Sequence, residues 1–191
     1  MPGGRPAIIP FRHFSFYLAC TDFRHSIFQS GVSPYGTLTP EGMALNFDKM
    51  AAKGNEFVNR LAEHLGDREN RDRAARVLRC VLHALRDRLT AEESLQLMAQ
   101  LPMAIKAVYV DGWKLKPHHR IRTTEEFGLA VMQEDGRSAW RDFASVDEAL
   151  LACQAVMRTL ADYVSAGELH DIIAILPEEM KLDFMTWMHT P

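Results

Sequence analysis

From Asn46 onward, apolar residues recur at spacings of three and four almost without interruption, the period of a helix with one buried face. Phe47, Met50, Ala51, Gly54, Phe57, Val58, Leu61 and Leu65 fall on one side of a first helix, which Gly66 ends. Asp67 or Asn70 can cap a second helix, whose stripe is Ala74, Val77, Leu78, Val81, Leu82, Leu85 and Leu89. Thr90-Ala-Glu-Glu93 has the form of a capping box: the hydroxyl accepts from the amide three residues on, and Glu93 reaches back. It opens a third helix that runs to Leu101. Pro102 suits the first turn of a fourth, where its missing N–H costs nothing. That helix carries Ile105, Val108 and Tyr109 and stops near Gly112.

The pattern then returns. Val81 to Tyr109 matches Val156 to Phe184 at a constant offset of 75, and nine positions are identical across residues 75–109. Chance would give about two at ordinary residue frequencies. The cap recurs as Ser165-Ala-Gly-Glu168 and Leu101–Pro102 recurs as Leu176–Pro177, while Ser145-Val-Asp-Glu148 caps the long helix between them. Upstream, Glu56–Phe57 and Gly66 match Glu126–Phe127 and Gly136 at an offset of 70. Two copies are too few for an open solenoid. The expected fold is all-α, a compact helical bundle of two tandem related units. Copy one covers residues 43–113, a linker 114–122, and copy two 123–189.

Residues 1–42 have a different character. They hold five of the nine prolines and five of the eleven glycines, and their phenylalanines follow no period that builds an amphipathic face. The expectation is a poorly structured extension, or sequence that is not normally translated, with the helical pattern beginning near Met43.

Composition narrows the function classes. Apolar residues make up 47% and charged residues 25%, ordinary for a globular chain that needs no metal or disulfide to fold. A net charge of −3 gives no global attraction to nucleic acid or to anionic membranes. The three cysteines, Cys20, Cys80 and Cys153, are widely spaced and odd in number, which argues for a reducing compartment. No stretch approaches the roughly 18 apolar residues of a membrane span. Pro10, Arg12 and His13 interrupt the core that a secretory signal would need. The expected location is the cytoplasm.

Candidate chemistry is sparse. Arg76, Arg79, His83 and Arg86 lie at spacings of three, four and three on the second helix, forming one basic stripe. It reads either as a solvated face or as a contact for an anion or a partner. Glu69 and Asp72, four residues before Arg73 and Arg76, are placed for surface ion pairs, which favours the solvated face. The linker holds Lys114, Lys116, Arg120 and Arg122 with no acid, directly after Trp113. An aromatic beside such charges suits single-stranded nucleic acid or a phosphorylated partner, and the alternative is a hydrated connection. Cys80 and His83 stand three apart, but nothing positions a third group for nucleophilic catalysis. Met98, Met103, Met132, Met157 and Met180 sit in or beside apolar stretches and read as core. No HExxH, CxxC, GxSxG or phosphate loop occurs, so no cofactor, metal site or catalytic residue is expected.

Several motifs together resemble the bacterial domain of unknown function 2267 family: Met43-Ala-Leu-Asn-Phe-Asp, Val81-Leu-His-Ala-Leu-Arg-Asp-Arg-Leu, Gln100-Leu-Pro and Val108-Tyr-Val-Asp-Gly-Trp113, with Ser165-Ala-Gly-Glu168 and Leu176–Pro177. The resemblance covers about residues 43–188. It implies an all-α fold of two related halves and no particular activity. The expected function is a non-enzymatic cytoplasmic interaction module with a protein partner. The alternatives are a phosphate or nucleic-acid binder using the linker and the Arg76, Arg79 and Arg86 face, or a small-ligand protein with a pocket between the halves.

Removing residues 1–42 should leave the stability of the helical part nearly unchanged, because that segment lacks a periodic apolar face. Comparing melting temperatures of the full and shortened chains checks this. A fall of more than about 5 °C would mean that its phenylalanines pack.

Overall fold

The Asn46 side chain accepts the amide of Lys49 at 2.8 Å and so opens the first helix, where free N–H groups would otherwise lack a partner. In the computed structural model, residues 46–114 and 121–189 are described. Helix α1 spans Phe47–His64, α2 Arg71–Arg86, α3 Ala91–Gln100, α4 Met103–Val110 and α5 Thr124–Asp135. After a 3₁₀ turn at Gly136–Ser138 come α6 Ala139–Asp142, α7 Val146–Ala161, α8 Ala166–Ala174 and α9 Glu178–His189. The fold is all-α, with no strand among the described residues. What the sequence suggests for residues 1–42, Cys20 included, lies outside them.

Helix boundaries follow from local chemistry. Gly66, at φ +73°, turns the chain away from α1, and Asp67 N–H reaches back to Ala62 O at 3.0 Å. Asn70, rather than Asp67, caps α2, accepting from Arg73 N at 3.1 Å. The box at Thr90 is complete, with Glu93 Oε2 accepting from Thr90 N at 2.9 Å. The matching site at Ser165 is completed differently. Ser165 Oγ accepts from Glu168 N, but Ser165 N–H donates to Gln100 Oε1 at 2.7 Å, and Gln100 Nε2 donates to Glu168 Oε2 at 3.3 Å. A side chain from the end of α3 thus closes the cap of α8.

Helices α2 and α7 run through the middle. Each of α1 and α5 packs on both of them, α4 lies on α1, α9 on α7, and α3 meets α8. Every residue from Cys80 to Arg86 is buried, so α2 is enclosed on all sides there. Phe127 of α5 meets Phe184 of α9 edge-on at 5.3 Å, and the Tyr109 hydroxyl donates to the buried Ser94 at 3.0 Å, tying α4 to α3. Phe47 departs from its expected place on the buried face: it is 72% exposed. It is the first residue of α1, two turns ahead of Gly54, where α4 crosses. Met103, in the first turn of α4, is likewise exposed, whereas Met157 and Met180 are buried.

The crossing of α1 and α4 leaves no room for a side chain at Gly54. A Cβ at this position would lie 2.6 Å from Ala104 Cβ, closer than two such carbons approach. Gly54→Ala gains up to about 1 kcal/mol of helix propensity but overpacks the contact at about 1–3 kcal/mol. A net loss of about 1 kcal/mol or more is expected in urea unfolding. Gly167→Ala in α8, with nothing within 4 Å of the added carbon, should be neutral or stabilising by up to about 1 kcal/mol. A Gly54→Ala protein as stable as the parent would show that α1 and α4 separate freely.

Candidate functional site

The basic stripe on α2 is divided: Arg79 is exposed, while the other three side chains are engaged within the protein. Arg76 makes a bidentate pair with Asp142, Nε to Oδ2 at 2.5 Å and Nη2 to Oδ1 at 2.7 Å, and the Asp142 side chain is 1% exposed. Arg73 adds its guanidinium to the Asp142 carbonyl, at 2.9 Å for Nη2. Arg79 and Asp111 approach to 3.7 Å, a loose surface pair of little worth. His83 and Arg86 are buried. His83 Nε2 lies 2.8 Å from Val108 O, and since a carbonyl only accepts, Nε2 carries the proton. Arg86 Nη1 donates to Tyr109 O at 2.5 Å and to Asp111 O at 3.1 Å. These carbonyls are the ones that the end of α4 leaves without an intrahelical partner. Two side chains of α2 therefore cap α4 from outside, with a cation at the negative end of its dipole.

The Arg76–Asp142 pair sits within a small polar network. Cys80 Sγ donates to Asp135 Oδ1 at 3.6 Å rather than to His83. The Arg76 guanidinium, with Arg73 beyond it, holds the Asp142 carboxyl below the usual carboxylate range. Burial, and then the charge of Asp142, raises Asp135 instead. Burial and the neighbouring Asp135 push the Cys80 thiol up to about 12, and burial raises Cys153 as well. Neither thiol supplies a thiolate near neutral pH.

Around the linker, Trp113 is half-buried. It meets Tyr109 edge-on at 6.1 Å, and the Arg86 guanidinium stands 5.7 Å from its ring centroid. Lys114 is exposed. Arg122 gives its backbone N–H to Glu126 Oε2 at 2.7 Å, completing the cap of α5 with Thr123. Lys116 and Arg120 lie outside the described residues. The structure thus brings Arg86 and Trp113 together but places Arg76 elsewhere, beside α6.

Sequence reasoning missed an open groove of about 620 Å³ along the outer side of α1. Asn55, Glu56, Asn59, Arg60 and Glu63 line it at helical spacing, facing Asp162 and Tyr163 beyond the end of α7. Arg60 joins the two walls, Nε to Asp162 Oδ2 at 2.8 Å and Nη1 to Glu63 Oε2 at 3.3 Å. The Tyr163 ring rests on Phe57 at 4.6 Å. Glu56 makes no hydrogen bond or ion pair among the described residues. The signal was present as a polar stripe on α1, but its opposite wall comes from residues about a hundred positions later. Among the described residues, no three His, Cys, Asp or Glu side chains are grouped to hold a metal ion, and no helix is long and apolar enough to cross a membrane.

Arg76→Gln should leave Asp142 charged and buried without its counterion. The expected loss is about 2–4 kcal/mol, below that of a fully buried pair because Arg76 is a third exposed. Since Asp142 is held below its unfolded pKa, its contribution is complete above the unfolded value and disappears as pH falls through the folded one. The variant should therefore unfold at a higher pH than the parent on acid titration followed by circular dichroism. Coincident acid transitions would place no stabilisation in the pair.

A family model described as an uncharacterized conserved protein, DUF2267, matches residues 54–182. No curated protein matches the chain. The match begins at the glycine where α1 meets α4 and runs into α9, taking in the central helices and the polar network between α2 and α6. This chain belongs to the DUF2267 family.

Proposed function

We propose that this protein works by binding rather than by catalysis, as a helical interaction module that receives a basic segment of a partner protein in the groove along α1. The observation that carries this is the charge of the groove. Glu63 and Asp162 share the Arg60 guanidinium, with the exposed Arg68 in looser reach of Glu63 at 3.8 Å, while Glu56 has no counterion among the described residues. Lysine and arginine side chains fit that imbalance, and the Tyr163 ring offers a face for their stems or charges. The tandem-unit reading goes with it. Copy one at residues 43–113 and copy two at 123–189 would make α1 and α5 equivalent. Support comes from burial at the offset of 75, where Val81 and Val156, Leu85 and Leu160, and Tyr109 and Phe184 are all core residues. The same equivalence supplies a reason for the reciprocal packing of α1 on α7 and α5 on α2. Polyanion binding through residues 114–122 ranks second, because Arg86 already occupies the Trp113 ring and the linker carries its charge on a chain that is acidic overall.

Titration with a short lysine- and arginine-rich peptide at low salt tests the groove. The parent should bind, with affinity falling as salt rises. Replacing Glu56 and Asn59, both exposed on α1, with arginine should weaken binding by about tenfold or more and leave the helical spectrum intact. Equal binding by the double variant, or none by the parent, would end this reading.

A further inference from the structure

A second hollow, of about 370 Å³, opens between the C-terminal end of α1, the start of α2 and the middle of α7. His64, Arg73 and Arg158 line it together with Leu65, Leu151 and Ala155, and Glu148 stands at its edge. Leu151 is 64% exposed, although it projects from a central helix. The hollow therefore combines polar groups with an open apolar wall.

The hydrogen bonds around His64 fix its tautomer. The Thr159 hydroxyl has one proton and donates it to Ala155 O at 2.8 Å, on its own helix. His64 Nδ1 lies 2.9 Å from Thr159 Oγ1, so the ring nitrogen must be the donor. Nε2 then has no proton and can take one. Burial and the charges of Arg158 and Arg60 hold the ring below its ordinary pKa, against the weaker pull of Asp162. The free histidine is neutral at pH 7, and its surroundings are electropositive.

Both arginines have donors to spare. Arg158 makes no hydrogen bond or ion pair among the described residues. Arg73 directs Nε and Nη2 to the Asp142 carbonyl, at 3.3 and 2.9 Å, which leaves Nη1. The Glu148 carboxylate is engaged by the Ala144 amide at 2.9 Å as part of the α7 cap. Two guanidiniums against one carboxylate leave the hollow with a net positive charge while His64 is neutral.

The geometry points to a binding site for a small organic anion, a carboxylate or phosphate on a short apolar body, held by Arg158 and Arg73 with its body against Leu151 and Leu65. Binding favours a proton from solvent on His64 Nε2, because a bound anion offsets the charges of Arg158 and Arg60, which add to burial in keeping the ring neutral. The charged and titratable groups facing that ring are Arg60 on α1, Arg73 on α2, and Glu148, Arg158 and Asp162 on or just after α7. Arg158 supplies the charge and His64 the dependence on pH.

The full chain is titrated calorimetrically with phenyl phosphate, phenylacetate and inorganic phosphate, each at pH 6 and 8, in two buffers of different ionisation enthalpy. At least one aromatic anion should bind at millimolar concentration, more tightly at pH 6 than at pH 8, with proton uptake at pH 6, where a ring held below its ordinary pKa can gain a proton. Which aromatic probe binds better identifies the head group, and stronger binding than inorganic phosphate supports the apolar wall. Arg158→Gln should weaken binding by about tenfold or more. This side chain has no partner to lose, so the fold is kept. His64→Gln should retain binding at pH 8 but lose the proton uptake. No binding by the parent, or parent-like binding by Arg158→Gln, overturns the site. Unchanged proton uptake in His64→Gln overturns the role of the histidine. Neither result depends on Glu56 or Asn59, so this site and the α1 groove stand or fall separately.

Discussion

Helix α2 is enclosed on every side from Cys80 to Arg86, and a buried polar group must find a hydrogen-bond partner inside the protein. That constraint organises much of what surrounds the helix. His83 and Arg86 reach the open carbonyls of α4, so the short helix is held by its own unsatisfied end. One turn earlier, the buried Asp142 at the end of α6 demands a cation, and Arg76 supplies it. Without such partners, the charges on α2 would favour solvent over the core that its Leu and Val residues build. The polar groups thus set where α4 ends and where α6 sits, while apolar burial provides the driving force.

The same constraint decides which charged residues remain open to other molecules. A basic stripe at helical spacing looks identical in sequence whether it faces water, a ligand or the end of another helix. On α2 most of it serves the fold. The groups left with unused donors or charge are ones that stood alone in the sequence. Arg158 occupies the position in α7 that His83 occupies in α2, and Glu56 precedes the core residue Phe57. Functional surface in this chain is to be sought where side chains lack internal partners.

What the sequence made legible was local. Asn70, Thr90, Ser145 and Ser165 cap helices because each cap depends on a residue three positions away. The stripe from Ala74 to Leu89 is buried because the helical period alone defines a face. What was not legible depends on pairs distant in the chain. Gln100 inserts into the cap at Ser165 across 65 positions, and Arg60 finds Asp162 across 102. Phe47 failed for a related reason: periodicity shows the side on which a residue lies, but not whether a neighbouring helix extends far enough to cover it. The candidate sites suffered most, since each draws its walls from stretches far apart in the chain.

Those walls also link the groove and the hollow. Arg60 joins Glu63 to Asp162 across the groove, and its charge reaches His64 around the end of the same helix. Asp162, the other partner in that pair, acts on His64 in the opposite direction. The ring therefore feels the balance between them: strengthening the influence of Asp162 favours its charged form, and strengthening that of Arg60 favours its neutral form. A cation that neutralised Asp162 from the groove would make His64 harder to protonate. By linkage, a proton on His64 would make that cation harder to bind. The coupling runs through two residues that the chain must hold together in any case, because their pair spans α1 and the turn that follows α7.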